Sequence, residues 1–208
     1  MIHLWHTLKD RQYRIGFLLT SLLSLGGFMM MPWGTAFAVN NLKVSYDQLP
    51  LLFLVGGTVA LIVMPLVGKL SDKIDKVKIF VAAAIWMMIV VVVYTNLPPI
   101  PFPYIIGMNI LMMMGIMSRI IPAMALVSAL PEMKDRGAFM SINSSLQQIA
   151  GGIAAGVGGM IVVQQTKTSP LQHYDTLGYV IVVVLLANII QVFRVSNLLK
   201  ARKHSDKL

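Results

Sequence analysis

Long apolar runs alternate with short charged connections along the whole chain. No Asp, Glu, Lys or Arg lies between Arg14 and Lys43, between Asp47 and Lys69, between Lys78 and Arg119, or between Arg136 and Lys167. An uncharged apolar run of this length is a candidate membrane helix, because about 20 residues cross the hydrocarbon core of a bilayer. The pattern predicts six spans, at residues 15–39, 49–67, 78–95, 104–127, 137–163 and 177–195. Pro98, Pro99, Pro101 and Pro103 separate the third from the fourth, since each proline lacks an amide donor and restricts its neighbour. The expected fold is an all-α membrane protein. It comprises a cytoplasmic arm (1–14), a six-helix transmembrane domain (15–199) and a basic cytoplasmic tail (200–208).

Composition agrees with that pattern. The 208 residues are 57% hydrophobic and 12% charged, about half the charged share of an ordinary soluble domain. A net charge of +9 in a soluble protein would point to nucleic acid. Here its placement points to the membrane instead, with no nucleic-acid partner. Lys9, Arg11 and Arg14 precede span one; Lys69, Lys73, Lys76 and Lys78 follow span two; Lys134 and Arg136 follow span four. Arg194, Lys200, Arg202, Lys203 and Lys207 close the chain, and the opposite side carries only Lys43 and Lys167. Basic residues accumulate on the cytoplasmic side, so both termini are expected there, in a cell inner (plasma) membrane. Ala36-Phe37-Ala38 imitates a signal cleavage site, but the apolar run from Ile15 outlasts a signal peptide and further spans follow. The chain has no cysteine, which removes thiol catalysis, disulfides and thiolate metal sites.

The spans differ in polarity. The third and sixth are nearly apolar all round and are expected to sit outermost, against lipid. The first, fourth and fifth carry Gly, Pro, Ser, Asn, Gln or Arg, which must face protein or water. Two groups of three helices laid end to end have opposite membrane orientation, the inverted-repeat arrangement of many transporters.

The connection after span two contains Gly68, Leu70, Ser71, Asp72, Lys73 and Lys76. It resembles the loop signature of the major facilitator superfamily, G-x-L-[small]-D-R-x-G-R. Lysines replace two arginines, and Asp75 stands where that family has glycine. The stretch from Pro131 to Gly137 resembles the cytoplasmic approach to the family's eleventh helix. The resemblance covers nearly the whole chain but half of a twelve-helix member, the C-terminal half, and the chain is similar to bacterial drug- or sugar-efflux-type permeases. It implies secondary transport of a small molecule by alternating access, with no cofactor. The implied partners are the bilayer and an N-terminal six-helix half or a second copy. It also implies that Asp72 and Lys73 hold a cytoplasmic gate, Asp72 bracing a helix of the other half. The glycine is expected to let span two end in a tight turn.

Arg119 is the one charge inside a span. A centred charge costs at least about 2.5–3.5 kcal/mol in lipid. It therefore anchors a polar or anionic substrate, joins a gating ion pair, or snorkels to the interface. On span five, Asn143 and Gln148 either line a cavity or bond between helices, while Gly152, Gly156 and Gly159 suit close helix approach. Gly26, Gly27 and Pro32 predict a bend or a close helix crossing in span one. Met108, Met112, Met113, Met114 and Met117 read as adaptable packing rather than a metal site.

All acidic residues and all four histidines fall outside the expected spans, so an intramembrane protease or transferase lacks its catalytic groups. A homo-oligomeric channel or scaffold, or a non-functional transporter fragment, is the competing class. The same absence removes a proton relay. No proton-coupled solute flux is expected from this chain alone in liposomes. An imposed pH gradient that drives uptake would overturn that expectation.

Overall fold

In hydrocarbon every backbone amide must find its partner within the protein, which leaves helices as the available structure for these runs. The computed structural model describes residues 7–205, with side chains to Arg202. His3, His6, Asp206 and Lys207, and the side chains of Lys203 and His204, lie outside the described part. The long helices are α1 (Arg11–Phe28), α3 (Leu49–Lys73), α4 (Lys76–Thr95), α5 (Phe102–Ser128), α6 (Arg136–Ile161) and α7 (Tyr174–Ser205). A short α2 (Met31–Ala36) and a π-helical turn, Phe37–Asn41, continue α1. Among the described residues, five stretches are long and apolar enough to cross a membrane: Arg11–Asn41, Tyr46–Lys73, Lys76–Thr95, Phe102–Ser128 and Tyr174–Arg202. The remaining helix, α6, has 26 residues and is diluted by Ser, Asn, Gln and Gly.

The bend expected in span one is a break at Met29 and Met30, with Pro32 in the first turn of α2. Proline suits that position because its missing amide would have no helical partner anyway. One expectation fails at the connection after span two. Gly68 does not end the helix, because α3 runs on to Lys73 and Ile74 adopts an extended backbone. Asp75, the departure from the resemblance, instead caps α4: its carboxylate accepts the Val77 N–H at 2.8 Å. An aspartate at that position satisfies one orphan donor and complements the helix dipole. At the C-terminal end α7 runs to Ser205 without a break, so the basic tail begins as helix.

The helices pack in a defined order. Principal contacts join α3 to α5, α5 to α4, α4 to α7, α7 to α1 and α1 to α6, and α1 also touches α5. Helices α3 and α6 therefore flank the unit and α4 and α7 meet at its back. The third span is not outermost within this unit: half of its most apolar window is buried, against 17% for the second. All-round apolarity suits a helix packed on protein on one side and lipid on the other, so it does not by itself mark a periphery.

Two apolar cores stack along the bundle. One gathers Phe37, Val91, Ile105, Tyr174 and Leu185 near the ends of α2 and α4 and the start of α7. The other gathers Phe17, Phe80, Val127, Phe139 and Val192 near the N-termini of α1, α4 and α6. The buried polar side chains Ser24, Arg119 and Asn188 fall at the seam between them, and Asn143 lies within the second. The first core is closed by aromatic stacking, Phe37 on Tyr174 at 4.0 Å between ring centres. Over it the 162–173 connection is fastened to α1's continuation, as Asn41 exchanges hydrogen bonds of 3.0 and 2.8 Å with the Leu171 backbone. At the opposite end the Tyr13 hydroxyl donates to Asp135 at 3.0 Å, and Arg202 binds Gln12 and the Leu130 carbonyl.

The glycines of α6 divide by face. A Cβ on Gly158 would lie 2.7 Å from the Met29 carbonyl oxygen, whereas one on Gly156 or Gly152 would meet nothing within 4 Å. Gly159 lies against Trp33. Gly158→Leu should lower stability by about 1–3 kcal/mol. Gly156→Leu should leave it unchanged, and thermal unfolding in detergent reads both.

Candidate functional site

Helix α5 positions most of the candidate site through one stripe. Asn109, Met112, Met113, Ile116, Met117, Ile120 and Met124 recur at three- and four-residue spacing and therefore share a face. That face lines a cavity of about 500 Å³, completed by Ser24, Gly27, Met30, Met31, Gly34 and Thr35 of α1 and α2, by Leu49, Leu52 and Phe53 of α3, and by Gln147 of α6. Tyr94 and Tyr174 lie at one end. The volume is that of a drug-sized ligand site. No Asp, Glu, Lys, Arg or His lines it, and six methionines do: Met30, Met31, Met112, Met113, Met117 and Met124. Thioether side chains are unbranched and polarizable, so such a wall adapts to differently shaped apolar guests.

The polar groups on this wall are few. The Asn109 Oδ1 and the Tyr174 hydroxyl are buried without a hydrogen-bond partner. Asn109 reaches its place because α3 is bare at Gly56, where an added Cβ would come within 2.8 Å of Oδ1. Unpaired buried polar atoms cost about 1–3 kcal/mol each, a cost that a ligand carrying a complementary group would relieve.

None of the three residues expected to touch substrate lines this cavity. Arg119 is 3% exposed. It lies one helical turn from Gly115, whose Cα packs against Trp86 and Met87 of α4. At about 100° per residue, its direction is roughly a quarter turn from the cavity stripe. Its Nε is buried with no hydrogen-bond partner, and no ion pair to it occurs among the described residues. Asn143 is fully buried, its Oδ1 2.5 Å from the Thr20 hydroxyl on α1. Gln148 is exposed on the opposite side of α6 from Asn143's pairing, and its neighbour Gln147 is the amide that lines the cavity.

The gate residues sit at the far end of α3. Asp72 and Lys73 are exposed, Leu70 is 43% exposed, and Gly68 has open space where a side chain would project. Lys76 donates to the Ser71 carbonyl at 3.1 Å across the turn, which ties the start of α4 to the last turn of α3. Among the described residues no group of His, Asp or Glu could hold a metal ion.

Sequence reasoning passed over Asn109, Tyr94 and Tyr174. For Asn109 the signal was present, since it falls four residues before Met113 on the methionine stripe. The tyrosines stand at helix ends that only the fold brings together. On α7, Asn188 and Gln191 are also buried, in a span read as apolar from its first half.

Membrane-length helices arranged around an uncharged, solute-sized cavity define a multi-pass membrane protein of the transporter class. The Major Facilitator Superfamily model matches residues 16–207, and the chain belongs to that family. Members of the family are membrane transporters rather than enzymes. No curated protein matches the chain.

The Thr20–Asn143 pair joins α1 and α6 within the second core. Transmembrane side-chain hydrogen bonds contribute about 0.6 kcal/mol on average and up to about 1.7. Thr20→Val and Asn143→Leu should show a coupling in that range in a double-mutant cycle of unfolding in mixed micelles. Strict additivity would mean that the pair contributes nothing.

Proposed function

We propose that this chain forms one six-helix half of a secondary active transporter that moves a small solute by alternating access. The observation that carries this reading is the cavity of about 500 Å³ between α1–α2, α3 and α5. Its site is one of the places where binding pockets of helix bundles form. The helix order supports an inverted repeat. Exchanging α1, α3 and α4 with α5, α6 and α7 turns the α3–α5 contact into α6–α1, and α5–α4 into α1–α7. It leaves α4–α7 unchanged, so the whole contact order maps onto itself. This is what a pseudo-two-fold axis between two three-helix units requires. On that reading α6 is the sixth crossing, both termini lie on the cytoplasmic side of an inner (plasma) membrane, and the exposed apolar faces of α3 and α6 meet a second six-helix unit. That unit is an N-terminal half or a second copy, and Asp72 and Lys73 brace it.

The lining favours a drug-like solute over a sugar-like one. Each sugar hydroxyl needs a partner once it leaves water, at about 1–3 kcal/mol if it goes without. The wall offers six polar side chains among many thioether, aromatic and aliphatic ones. A neutral aromatic molecule with one donor for Asn109 fits it, and extrusion from the membrane or cytoplasm is the direction such a solute implies.

Gly34 lines the cavity and has nothing within 4 Å of an added Cβ. Gly34→Trp should therefore fill the space while the protein still folds. In proteoliposomes containing the chain and its six-helix partner, transport of a neutral aromatic fluorophore should fall at least about tenfold on that substitution. A disaccharide should not be carried. Undiminished fluorophore flux in Gly34→Trp would sink the proposed cavity, and disaccharide flux blocked by it would replace the solute class.

A further inference from the structure

A second and larger cavity, about 1030 Å³, opens at the other end of the molecule, between the start of α1 and the last turns of α7. Lys9, Arg11, Arg14 and Arg194 line it, together with apolar side chains that include Leu18 and Leu146. No Asp or Glu lines it. The nearest acidic residue in sequence, Asp10, is committed elsewhere: its carboxylate accepts the N–H groups of Gln12 and Tyr13 at 2.7 and 3.2 Å and so caps α1. Among the described residues the wall itself supplies no carboxylate to Arg11, Arg14 or Arg194. Gln191 keeps the walls together, donating to the Ile15 carbonyl of α1 at 3.2 Å while Arg194 donates to its Oε1 at 3.4 Å.

Depth decides what such a cavity can hold. Arg14 immediately precedes the apolar run of α1, and Arg194 follows the apolar run of α7, so both sit at the level of lipid headgroups. One turn inward the wall is apolar, with Leu18 47% exposed. A group of cations above an exposed apolar wall matches an anion that carries a hydrocarbon chain. A free phosphate would use the cations and leave the wall wet. A neutral lipid would use the wall and bring no net charge to Arg11, Arg14 and Arg194. Anionic leaflets attract juxtamembrane basic groups for the same electrostatic reason.

We propose that this cleft between α1 and α7 is a binding site for one anionic phospholipid, its phosphate held by Arg11, Arg14 and Arg194 and its acyl chain laid along Leu18 and Leu146. The site is separate from the solute cavity and rests only on the chain's being membrane-embedded. It would fasten the first helix to the last through a lipid.

Native mass spectrometry of the purified, delipidated protein tests this with phosphatidylglycerol and phosphatidylcholine of identical acyl chains, and with glycerol 3-phosphate. One phosphatidylglycerol should be retained over phosphatidylcholine by at least about tenfold, and glycerol 3-phosphate at equal concentration should not displace it. Arg14→Ala with Arg194→Ala should abolish the preference, both side chains being exposed. Lys69→Ala with Lys78→Ala removes equal charge from the same membrane face and should preserve it. Equal retention of the two lipids would overturn the proposal. So would displacement by glycerol 3-phosphate, or an equal loss in both double variants.

Discussion

Hydrocarbon offers no hydrogen bonds, and the arrangement of this molecule follows from where it can place groups that need them. Backbone amides are satisfied by continuous helix. Buried side-chain polar groups are few on each helix: Ser24, Arg119 and Asn188 are enclosed at the seam between two apolar cores, and Thr20 meets Asn143 within one of them. The seam divides the bundle into an end closed by Phe37, Tyr94 and Tyr174 and an end closed by Phe17, Phe80 and Phe139. Each polar group hidden there must come from a helix facing the interior, and this fixes the rotation of α1, α5, α6 and α7 about their own axes.

The cavity is the counterpart of that rule. The stripe of α5 that does not turn towards α4 carries methionines and one asparagine, and it lines the cavity, with Asn109 and Met113 set beside Gly56 of α3. The break at Met29 and Met30 allows α2 to diverge from the line of α1, and Gly27 and Gly34 keep the wall shallow. Chemistry and shape thus come from different helices. α5 supplies the adaptable surface and α1–α2 supply the room.

Much of the fold was legible because hydrocarbon imposes a coarse code. Uncharged runs placed the helices and most of their ends, though α3 and α7 run on well past the expected 67 and 195, and Gly26, Gly27 and Pro32 flank the observed break. The code failed where a residue's role depended on its neighbours. Gly68 read as a helix terminator from its place in a motif, yet the turn is made six and seven residues later by an extended Ile74 and a capping Asp75. The site was less legible than the fold for the same reason. Polarity singled out Asn143 and Arg119 as unusual, and both are polar groups buried inside the bundle. Polarity alone does not distinguish a side chain that faces a solute from one that faces another helix. The choice between Gln147 and Gln148 is a rotation of about 100°, which only packing against α1 decides.

Arg202 bears on how the molecule is made. Its guanidinium holds Gln12, 190 positions earlier, and the Leu130 carbonyl between them. A ribosome delivers Gln12 at the beginning of this stretch and Arg202 at its end, so the clasp cannot close while the intervening helices are still being threaded into the bilayer. Until then the basic end of the bundle stays unlatched, and α1 can still adjust its position as each later helix arrives. Closure then works as a completion mark: a polypeptide that stops short of α7's last turns can insert every span and still lack its fastening.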